Sequence, residues 1–341
     1  MAESEHLLKD RMEIPLSTFT SAKDTPDGRR PQCIAHRGYK AAFPENTMGA
    51  FKGAVEVGAH AIETDLHLSK DGVVLLSHDP TLKRCFGKDE KLIDCDWEYI
   101  KTLRTLKGDQ PMPRLKDLLE YLAPPDLEDI WLLLDIKVPV PPTLKEAMFG
   151  DKAKQAKLDD YVNELFKAIA ATLADVKPSS RPWSERVVVG CWAAKYLPLC
   201  PKYLPEYPIT HIGFSISYAR QFLKIPNLSY NMFLMLLVGP RGNALLRDLK
   251  KSRSSSTFLW TVNEESWMKW GIRKDVDGVI TDDPKKYLEV CKSYNKSEWL
   301  WHSWASWKAI IKMHLRALTW GFAFRYKHGY FVDVQKVRKS L

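Results

Sequence analysis

The chain has 341 residues, of which 45% are hydrophobic and 27% charged, a balance that excludes collagen-like and disordered chains and supports a sizeable core. This length fits two domains of about 150 residues or one α/β barrel of about 250. The first 30 residues contain no apolar run long enough for a signal peptide, and no stretch of ~20 residues lacks charge. We therefore expect neither secretion nor a simple membrane span.

The six cysteines are scattered along the chain, with no C-x-x-C pair and no Cys/His cluster at zinc-ligand spacing. This pattern favours reduced thiols in a cytosolic compartment. They are Cys33, Cys85, Cys95, Cys191, Cys200 and Cys291.

The net charge of +9 is concentrated at the C-terminus. Residues 298–341 contain eight Lys/Arg against two acidic residues, a balance of +6 that leaves +3 for residues 1–297. Because no base-reading motif accompanies this basic excess, we do not expect nucleic-acid binding. The chain divides into an N-terminal extension (1–30), a body (31–297) and a basic tail (298–341), and its oligomeric state is not predicted.

Eight short apolar runs alternate with helical patterns between Gln32 and Pro284, which is typical of βα units on a parallel sheet. Such units close most economically as a TIM (β/α)8 barrel, with a doubly wound open sheet as the alternative. The predicted strands are 32–36, 60–65, 130–136, 186–190, 209–214, 229–233, 257–261 and 277–281. The predicted helices are 47–58, capped by Asn46 or Thr47, and 114–122, 151–175, 234–251 and 264–272.

The run Val73–Ser77 follows the second strand too closely for a parallel crossover, which needs a dozen or more residues. We therefore expect a β-hairpin insertion, with residues 69–72 as its turn. Residue numbers across the two arms would then sum to about 141, which places Glu63 opposite His78. The hairpin would return His78 to the edge where Glu63 and Asp65 lie.

Polar residues stand at the C-terminal ends of the first three strands, the end of a barrel that carries catalytic groups. Glu63 and Asp65 are two residues apart and share one face of a strand, as do Asp135 and Lys137. Three carboxylates aimed at one point cannot all stay ionised without a cation. Oxygen ligands favour Mg²⁺ or Ca²⁺ over zinc, so Glu63, Asp65 and Asp135 are predicted to bind such a metal.

Two histidines at the same end, His36 and His78, would supply a proton acceptor and a donor near neutral pH. Arg37 and Lys137 are predicted to bind non-bridging phosphate oxygens, Arg37 as a planar fork and Lys137 as a point charge. The combination suits phosphodiester cleavage better than carbonyl chemistry. Three other histidines are expected to be structural: His60, His67 and His211.

Several linked motifs in this chain resemble the glycerophosphodiester phosphodiesterase family. They are IAHRGYKAAFPENTMGAF, GAHAIETDLHLSKDGVVLLSHDPTL, LLLDIK, WTVN (260–263) and DGVITDDP (277–284). Within the family, LDIK, the WTVN–DGVITDDP ending and the basic aromatic tail look most like the fungal phosphatidylglycerol phospholipase C branch. The resemblance implies a TIM barrel, a divalent cation, His36 and His78 as the acid/base pair, and Glu63 and Asp65 as metal ligands.

Two further positions are interpreted with the help of the resemblance, and a third, Trp260, from its place on a strand. Much of the family has glutamate where this chain has Asp135, which is one methylene shorter, so a water could bridge the gap. The resemblance suggests that Glu45 touches the site, with a helix cap at 45–47 as the alternative. Trp260, at the end of the seventh strand, is predicted to form a wall against the substrate's glycerol, with barrel packing as the alternative.

The resulting expectation is a metal-dependent phosphodiesterase that cleaves phosphatidylglycerol to diacylglycerol and glycerophosphate. A soluble glycerophosphodiesterase or a lysophospholipase D would use the same site on other substrates. A non-catalytic lipid-binding barrel is the alternative outside enzymology. The expected partners are a phospholipid or glycerophosphodiester substrate and an anionic membrane surface.

The tail carries apolar residues at spacings of three or four, which predicts a helix with one apolar stripe. Basic residues and histidines interrupt the run, so it suits the membrane interface better than the hydrocarbon core. Packing against the barrel is the alternative. We expect a cytoplasmic protein, peripheral on an intracellular membrane or lipid-droplet surface. The stripe consists of Trp304, Trp307, Ile311, Leu315, Leu318 and Phe322.

Overall fold

The computed structural model describes residues 13–137, 152–251, 255–297, 304 and 307–316. Strands form at all eight predicted places, and the second one runs three residues further than predicted. In chain order the described strands are β1 (Lys23–Thr25), β2 (Gly28–Arg30), β3 (Gln32–His36), β4 (Ala61–Leu68), β5 (Val74–Leu76), β6 (Trp131–Ile136), β7 (Val187–Cys191), β8 (Ile209–Gly213), β9 (Ser229–Phe233), β10 (Thr257–Trp260) and β11 (Gly278–Thr281).

Eight parallel strands form a closed barrel, because β3 pairs with β4 on one side and with β11 on the other. The remaining neighbours pair in the order β4, β6, β7, β8, β9, β10 and β11. Closure confirms the TIM barrel and excludes the doubly wound sheet. Strand β5 is antiparallel to β4, so the inserted hairpin is also present.

The helices begin close to the predicted positions. Thr47, not Asn46, caps the first one, since its hydroxyl accepts a hydrogen bond from the amide of Ala50. The predicted helix 234–251 is broken at Gly239, whose φ of +114° and position before Pro240 do not permit a continuous helix. The described α-helices between residues 13 and 297 are α1 (Met48–Glu56), α2 (Lys83–Phe86), α3 (Trp97–Ile100), α4 (Leu115–Leu122), α5 (Lys152–Asp175), α6 (Leu199–Tyr203), α7 (Ile216–Ala219), α8 (Leu234–Leu237), α9 (Pro240–Lys251), α10 (Glu265–Arg273) and α11 (Pro284–Ser293), and residues 307–316 are also helical.

The register of the hairpin differs by one residue from the prediction. Leu68 pairs with Val74 and Leu66 with Leu76, so the numbers sum to 142 and Glu63 does not stand opposite His78. The loop contains five residues, closed by a bond from the Ser69 amide to the Val73 carbonyl. This longer loop shifts the returning arm by one position.

The barrel encloses a small apolar core, and a larger one lies between the strands and the surrounding helices. Residues of the N-terminal extension pack across the base of the barrel. Phe19 contacts the inner core through Trp131, at 5.9 Å between ring centroids. Thr20 hydrogen-bonds to Ser256 at 2.7 Å. The base is therefore covered, at the end opposite the C-terminal rim of the strands.

Candidate active site

Three carboxylates meet at the C-terminal rim of the barrel. Asp65 on β4 is in register with Asp135 on β6, and Glu63 lies two residues before Asp65 on the same face. One oxygen of each side chain lies within 4.8 Å of an oxygen of the other two. All three residues are at most 5% exposed. The structure thus brings together the predicted ligand set.

Two cations form ion pairs with two of these three carboxylates, Asp65 and Asp135. Lys137 Nζ lies 2.5 Å from Asp135 Oδ2 and 2.9 Å from Asp65 Oδ1, and Arg37 Nε lies 3.1 Å from Asp65 Oδ2. Burial raises the pKa of Glu63 well above its ordinary value, and the charges of Asp65 and Asp135 raise it further. Burial also opposes ionisation of Asp65, yet Lys137 and Arg37 hold its pKa below the usual range. Glu63 is therefore the carboxylate whose negative charge the two cations compensate least.

The cluster fits a divalent cation. Asp65 Oδ1 is buried and makes no hydrogen bond among the described residues, so its contact with Lys137 is an ion pair alone. A buried oxygen without a hydrogen bond is costly unless something else binds it. Three convergent carboxylate oxygens are hard ligands of the kind that Mg²⁺ and Ca²⁺ prefer.

His36 lies beside the cluster at the end of β3. Its Nδ1 is 2.5 Å from Asp282 Oδ1, and its Nε2 is 3.9 Å from Glu63 Oε2. Because an ionised carboxylate only accepts, the bond to Asp282 makes Nδ1 the donor and leaves Nε2 as the basic nitrogen. Burial lowers the pKa of His36 despite this bond, which favours the neutral imidazole. Burial opposes the ionisation of Asp282, but the hydrogen bond from His36 lowers its pKa to about 2.

His78 follows the hairpin and is held in a similar way. Its Nδ1 lies 2.7 Å from Asp79 Oδ1, which again leaves Nε2 for proton transfer. The preceding amide, of Ser77, donates to the Asp65 carbonyl at 3.0 Å, so the hairpin returns to the rim in spite of the register shift. The His78 side chain is 38% exposed, against 11% for His36.

The loop after β3 supports the cluster from one side. Glu45 accepts from Arg37 Nη1 at 2.8 Å and from both terminal nitrogens of Arg84. Burial opposes ionisation of Glu45, but Arg84 and Arg37 lower its pKa to about 2. Asn46 donates to Asp65 Oδ2 at 2.8 Å. Glu45 therefore contacts the carboxylate cluster through Arg37, while Asn46 touches it directly.

Four half-buried aromatic rings form a row along the rim that begins beside Asp135. Trp192 donates from Nε1 to Asp135 Oδ1 at 2.7 Å, and its ring centroid lies 5.6 Å from that of Trp260 and 6.1 Å from that of Phe214. Phe233 extends the row, 5.0 Å from Trp260. The rings form an aromatic wall (Trp192, Phe214, Phe233 and Trp260), and Trp260 also contacts the barrel core.

A profile of the glycerophosphoryl diester phosphodiesterase family matches residues 36–286. The chain belongs to this family. It is thus a phosphodiesterase, a hydrolase of phosphoric diesters, as the linked motifs indicate. The finer resemblance to the fungal phospholipase C branch stays a prediction.

Similar proteins cover most of this phosphodiesterase. A glycerophosphodiester phosphodiesterase of Caldanaerobacter subterraneus is 26% identical over 273 residues, or 76% of this chain and 97% of that protein. The uncharacterized protein YqiK of Bacillus subtilis is 27% identical over 273 residues, or 76% of this chain and 98% of its own. Lysophospholipase D GDPD1 of Homo sapiens is 24% identical over 280 residues, or 77% and 86%.

Solved structures show the same fold. The glycerophosphodiester phosphodiesterase of Thermotoga maritima superposes with a TM-score of 0.58 at 25% identity, over 76% of this chain and 98% of that one. An Oleispira antarctica phosphodiesterase, solved with its product sn-glycerol-3-phosphate, gives a TM-score of 0.61 at 19% identity, over 77% and 98%. Both likenesses support the barrel architecture.

The three histidines that the sequence predicts to be structural make structural contacts. His60 Nδ1 accepts from the Cys33 amide at 2.9 Å. His67 Nε2 lies 3.2 Å from the carbonyl oxygen of His78. His211 is buried and stacks on Phe222, with 4.4 Å between ring centroids. Each location fits the structural role expected from the sequence.

Several residues of the site were not predicted. Asp282 and Asn46 lie inside motifs that mark the family, so their position in the sequence was a usable signal. Trp192 and Arg84 have no such signal, because their partners come from distant parts of the chain. Arg37 and Lys137 are at the site, but their observed contacts are with carboxylates.

Proposed function

We propose that this phosphodiesterase is metal-dependent and cleaves phosphatidylglycerol to diacylglycerol, with His36 and His78 as the acid/base pair. The observation that carries the proposal is the pairing of each histidine with its own carboxylate, Asp282 or Asp79, beside a carboxylate cluster short of positive charge. Both pairs leave an Nε2 atom for proton transfer.

The chemistry begins at the headgroup, whose free hydroxyl lies next to its phosphate ester. One histidine accepts the proton of that hydroxyl, and the oxygen attacks phosphorus within the same molecule. The bond from phosphorus to the diacylglycerol oxygen breaks, and the other histidine protonates this leaving oxygen. Water then opens the cyclic glycerophosphate. A choline or ethanolamine headgroup lacks the hydroxyl, which gives a chemical reason for selectivity.

Glu63, Asp65 and Asp135 would hold the divalent cation, Mg²⁺ or Ca²⁺. When bound, such a cation neutralises negative charge on phosphoryl oxygens. We assign the other phosphoryl oxygens to Arg37 and Lys137, whose side chains border the cluster and are 12% and 16% exposed. Arg37 offers a planar fork, and Lys137 a point charge.

The aromatic wall supports a substrate with an apolar part. One of its rings, Trp192, lies beside Asp135 and Lys137, with the Lys137 ammonium 5.4 Å from its ring centroid. Half-buried aromatic rings bind apolar groups by removing both surfaces from water. We therefore place the glycerol and the adjoining acylated part of the substrate against this wall.

The tail supports attachment to an anionic membrane surface. Ile310 is buried against the main core, whereas Trp304, Ile311 and Leu315 are 69%, 54% and 62% exposed. Lys308 and Lys312 are exposed on the same helical segment. Exposed apolar and basic side chains together suit a headgroup layer of negative charge. Among the described residues, no helix has the length and apolar character to cross a membrane.

The membrane proposal is tested with full-length protein and vesicles of phosphatidylserine, which is anionic but not the proposed substrate. The double variant Ile311→Ser/Leu315→Ser should float less than wild type, whereas Leu106→Ser, at another exposed leucine, should float equally. Equal flotation of all three proteins would contradict the proposal.

A lysophospholipase D activity is the second candidate, because the human relative of that name matches 77% of this chain. Product analysis separates the two. Phosphatidylglycerol should yield diacylglycerol with a transient cyclic glycerophosphate, whereas the second candidate would release phosphatidic acid or its lyso form. Methylation of the headgroup hydroxyl next to the phosphate ester should stop the reaction. Normal turnover of the methylated lipid would overturn the intramolecular step.

A further inference from the structure

Arg84 is a charged residue near the rim that the chemistry above does not use. It lies on α2, after the hairpin, and its side chain is 49% exposed. All three guanidinium nitrogens donate hydrogen bonds to carboxylates. Nε donates to Asp79 Oδ2 at 2.5 Å, and Nη1 and Nη2 donate to Glu45 Oε2 and Oε1 at 2.9 and 2.7 Å.

The two carboxylates that Arg84 joins belong to different loops of the site. Asp79 accepts a hydrogen bond from Nδ1 of His78. Glu45 accepts a hydrogen bond from Arg37, which also forms an ion pair with Asp65. The guanidinium therefore ties the loop after β3 to the loop after the hairpin. A planar fork can hold both carboxylates at once, which a lysine ammonium cannot do with the same geometry.

His36 and His78 differ in how firmly the surrounding protein restrains their side chains. The His36 side chain is 11% exposed and enclosed by the barrel, and its partner Asp282 is also held by Asn263. His78 is 38% exposed and its partner Asp79 is 25% exposed, so packing restrains this pair less. His78 bonds to Oδ1 of Asp79, and Arg84 donates to the other carboxylate oxygen, Oδ2.

We propose that Arg84 is a positioning residue, which fixes Asp79 and through it the imidazole of His78 for proton transfer. The inference rests on the proposed role of His78. Arg84 itself need not touch the substrate, because its three donors are already used within the protein. Its loss should therefore lower kcat and leave KM nearly unchanged.

The test compares Arg84→Ala with Lys83→Ala, a control that removes a neighbouring positive charge from the same helix. Lys83 pairs with Asp89 at 2.8 Å, and both side chains are more than 70% exposed. We expect Arg84→Ala to lose ~10- to 100-fold in kcat, less than the full loss of an acid or base, with Lys83→Ala near wild type. Free guanidinium should restore part of the lost rate.

A double-mutant cycle identifies the route. If Arg84 acts through Asp79, the variant Arg84→Ala/Asp79→Asn should lose little more than the worse single variant, whereas Arg84→Ala/Asp282→Asn should lose the product of the two losses. Additivity with Asp79→Asn, coupling to Glu45→Gln instead, or a loss expressed in KM would overturn the inference.

His78→Ala distinguishes this failure from a failure of the proposed function. Full activity of His78→Ala would remove the acid/base assignment itself. If His78→Ala is inactive but the cycle is additive, only the role of Arg84 is wrong. Thermal unfolding of each variant shows whether a loss of activity results from unfolding or from misplacement of His78.

Discussion

The two ends of the barrel both carry charged residues, but they balance them differently. At the base, Asp277 accepts from Arg29 Nη2 at 2.5 Å and from the Thr257 amide at 2.8 Å, and Asp275 pairs with both Arg29 and Lys250. At the rim, two cations pair with two of the three carboxylates, and Asp65 Oδ1 makes no hydrogen bond within the described part of the chain. The charged side chains at the base pair with one another, whereas those at the rim leave negative charge that a bound cation would compensate.

A cavity of about 420 Å³ lies at the base, lined by Ser17, Arg29, Lys250 and Asp277 among others. Its size alone would suggest a binding site. Its charged residues are already paired with one another, however, and it lies at the end of the strands opposite the histidines and the carboxylate cluster. Unbalanced charge therefore locates the chemistry of this barrel better than cavity volume does.

The largest effects are expected when a negative charge is removed at the rim. Glu63→Gln and Asp65→Asn should each abolish turnover, because a metal ion supplies several kcal/mol of transition-state stabilisation, on the order of 10³-fold or more in rate. Metal-free protein should unfold at an equal or higher temperature after Glu63→Gln, since the pKa of this buried carboxyl is raised by burial and by its acidic neighbours. Turnover and thermal unfolding, with and without EDTA, check both statements.

Metal dependence is also open to a direct test. Chelated protein, verified to be free of metal, should be inactive and should recover on addition of Mg²⁺ or Ca²⁺. Full turnover by the metal-free protein would show that the carboxylates serve another purpose.

The next largest effects are expected at the histidines. His36→Ala and His78→Ala should each lower kcat by ~10² to 10⁴, the range for a lost general acid or base. His60→Asn is the matched control, because an asparagine oxygen can replace Nδ1 as acceptor for the Cys33 amide, far from proton transfer. Steady-state kinetics decide the matter: a histidine variant within a few-fold of wild type would be excluded from the reaction.

The barrel and the rim cluster could be predicted from sequence because they depend on short-range patterns. Strand runs such as QCIAH and IWLLLDI have the right length and spacing, and the C-terminal ends of parallel strands meet at one edge. Glu63, Asp65 and Asp135 therefore converge without any knowledge of side-chain packing.

What the sequence did not predict depends on longer-range or finer geometry. The hairpin register shifted because hydrogen bonds of Ser69 closed a loop one residue longer than a pattern of turn residues suggests. Trp192 bonds to Asp135 across 57 positions of sequence, and Arg84 bonds to Glu45 across 39. Such pairings follow from the closed barrel and cannot be inferred from spacing along one strand.

The smallest effect on activity is expected when a charge is removed at the base of the barrel. Asp277→Asn removes the charge that pairs with Arg29, in a residue whose side chain is 14% exposed. We expect this change to cost about 1–3 kcal/mol of unfolding free energy, the range for a partly buried, charge-assisted bond, while kcat and KM stay within two-fold of wild type. Asp89→Asn, which breaks an exposed pair with Lys83, should change stability by less than ~0.5 kcal/mol. Denaturant unfolding and kinetics on the same samples make the check. If Asp277→Asn lost activity but kept its stability, the base and the rim of the barrel would not be independent.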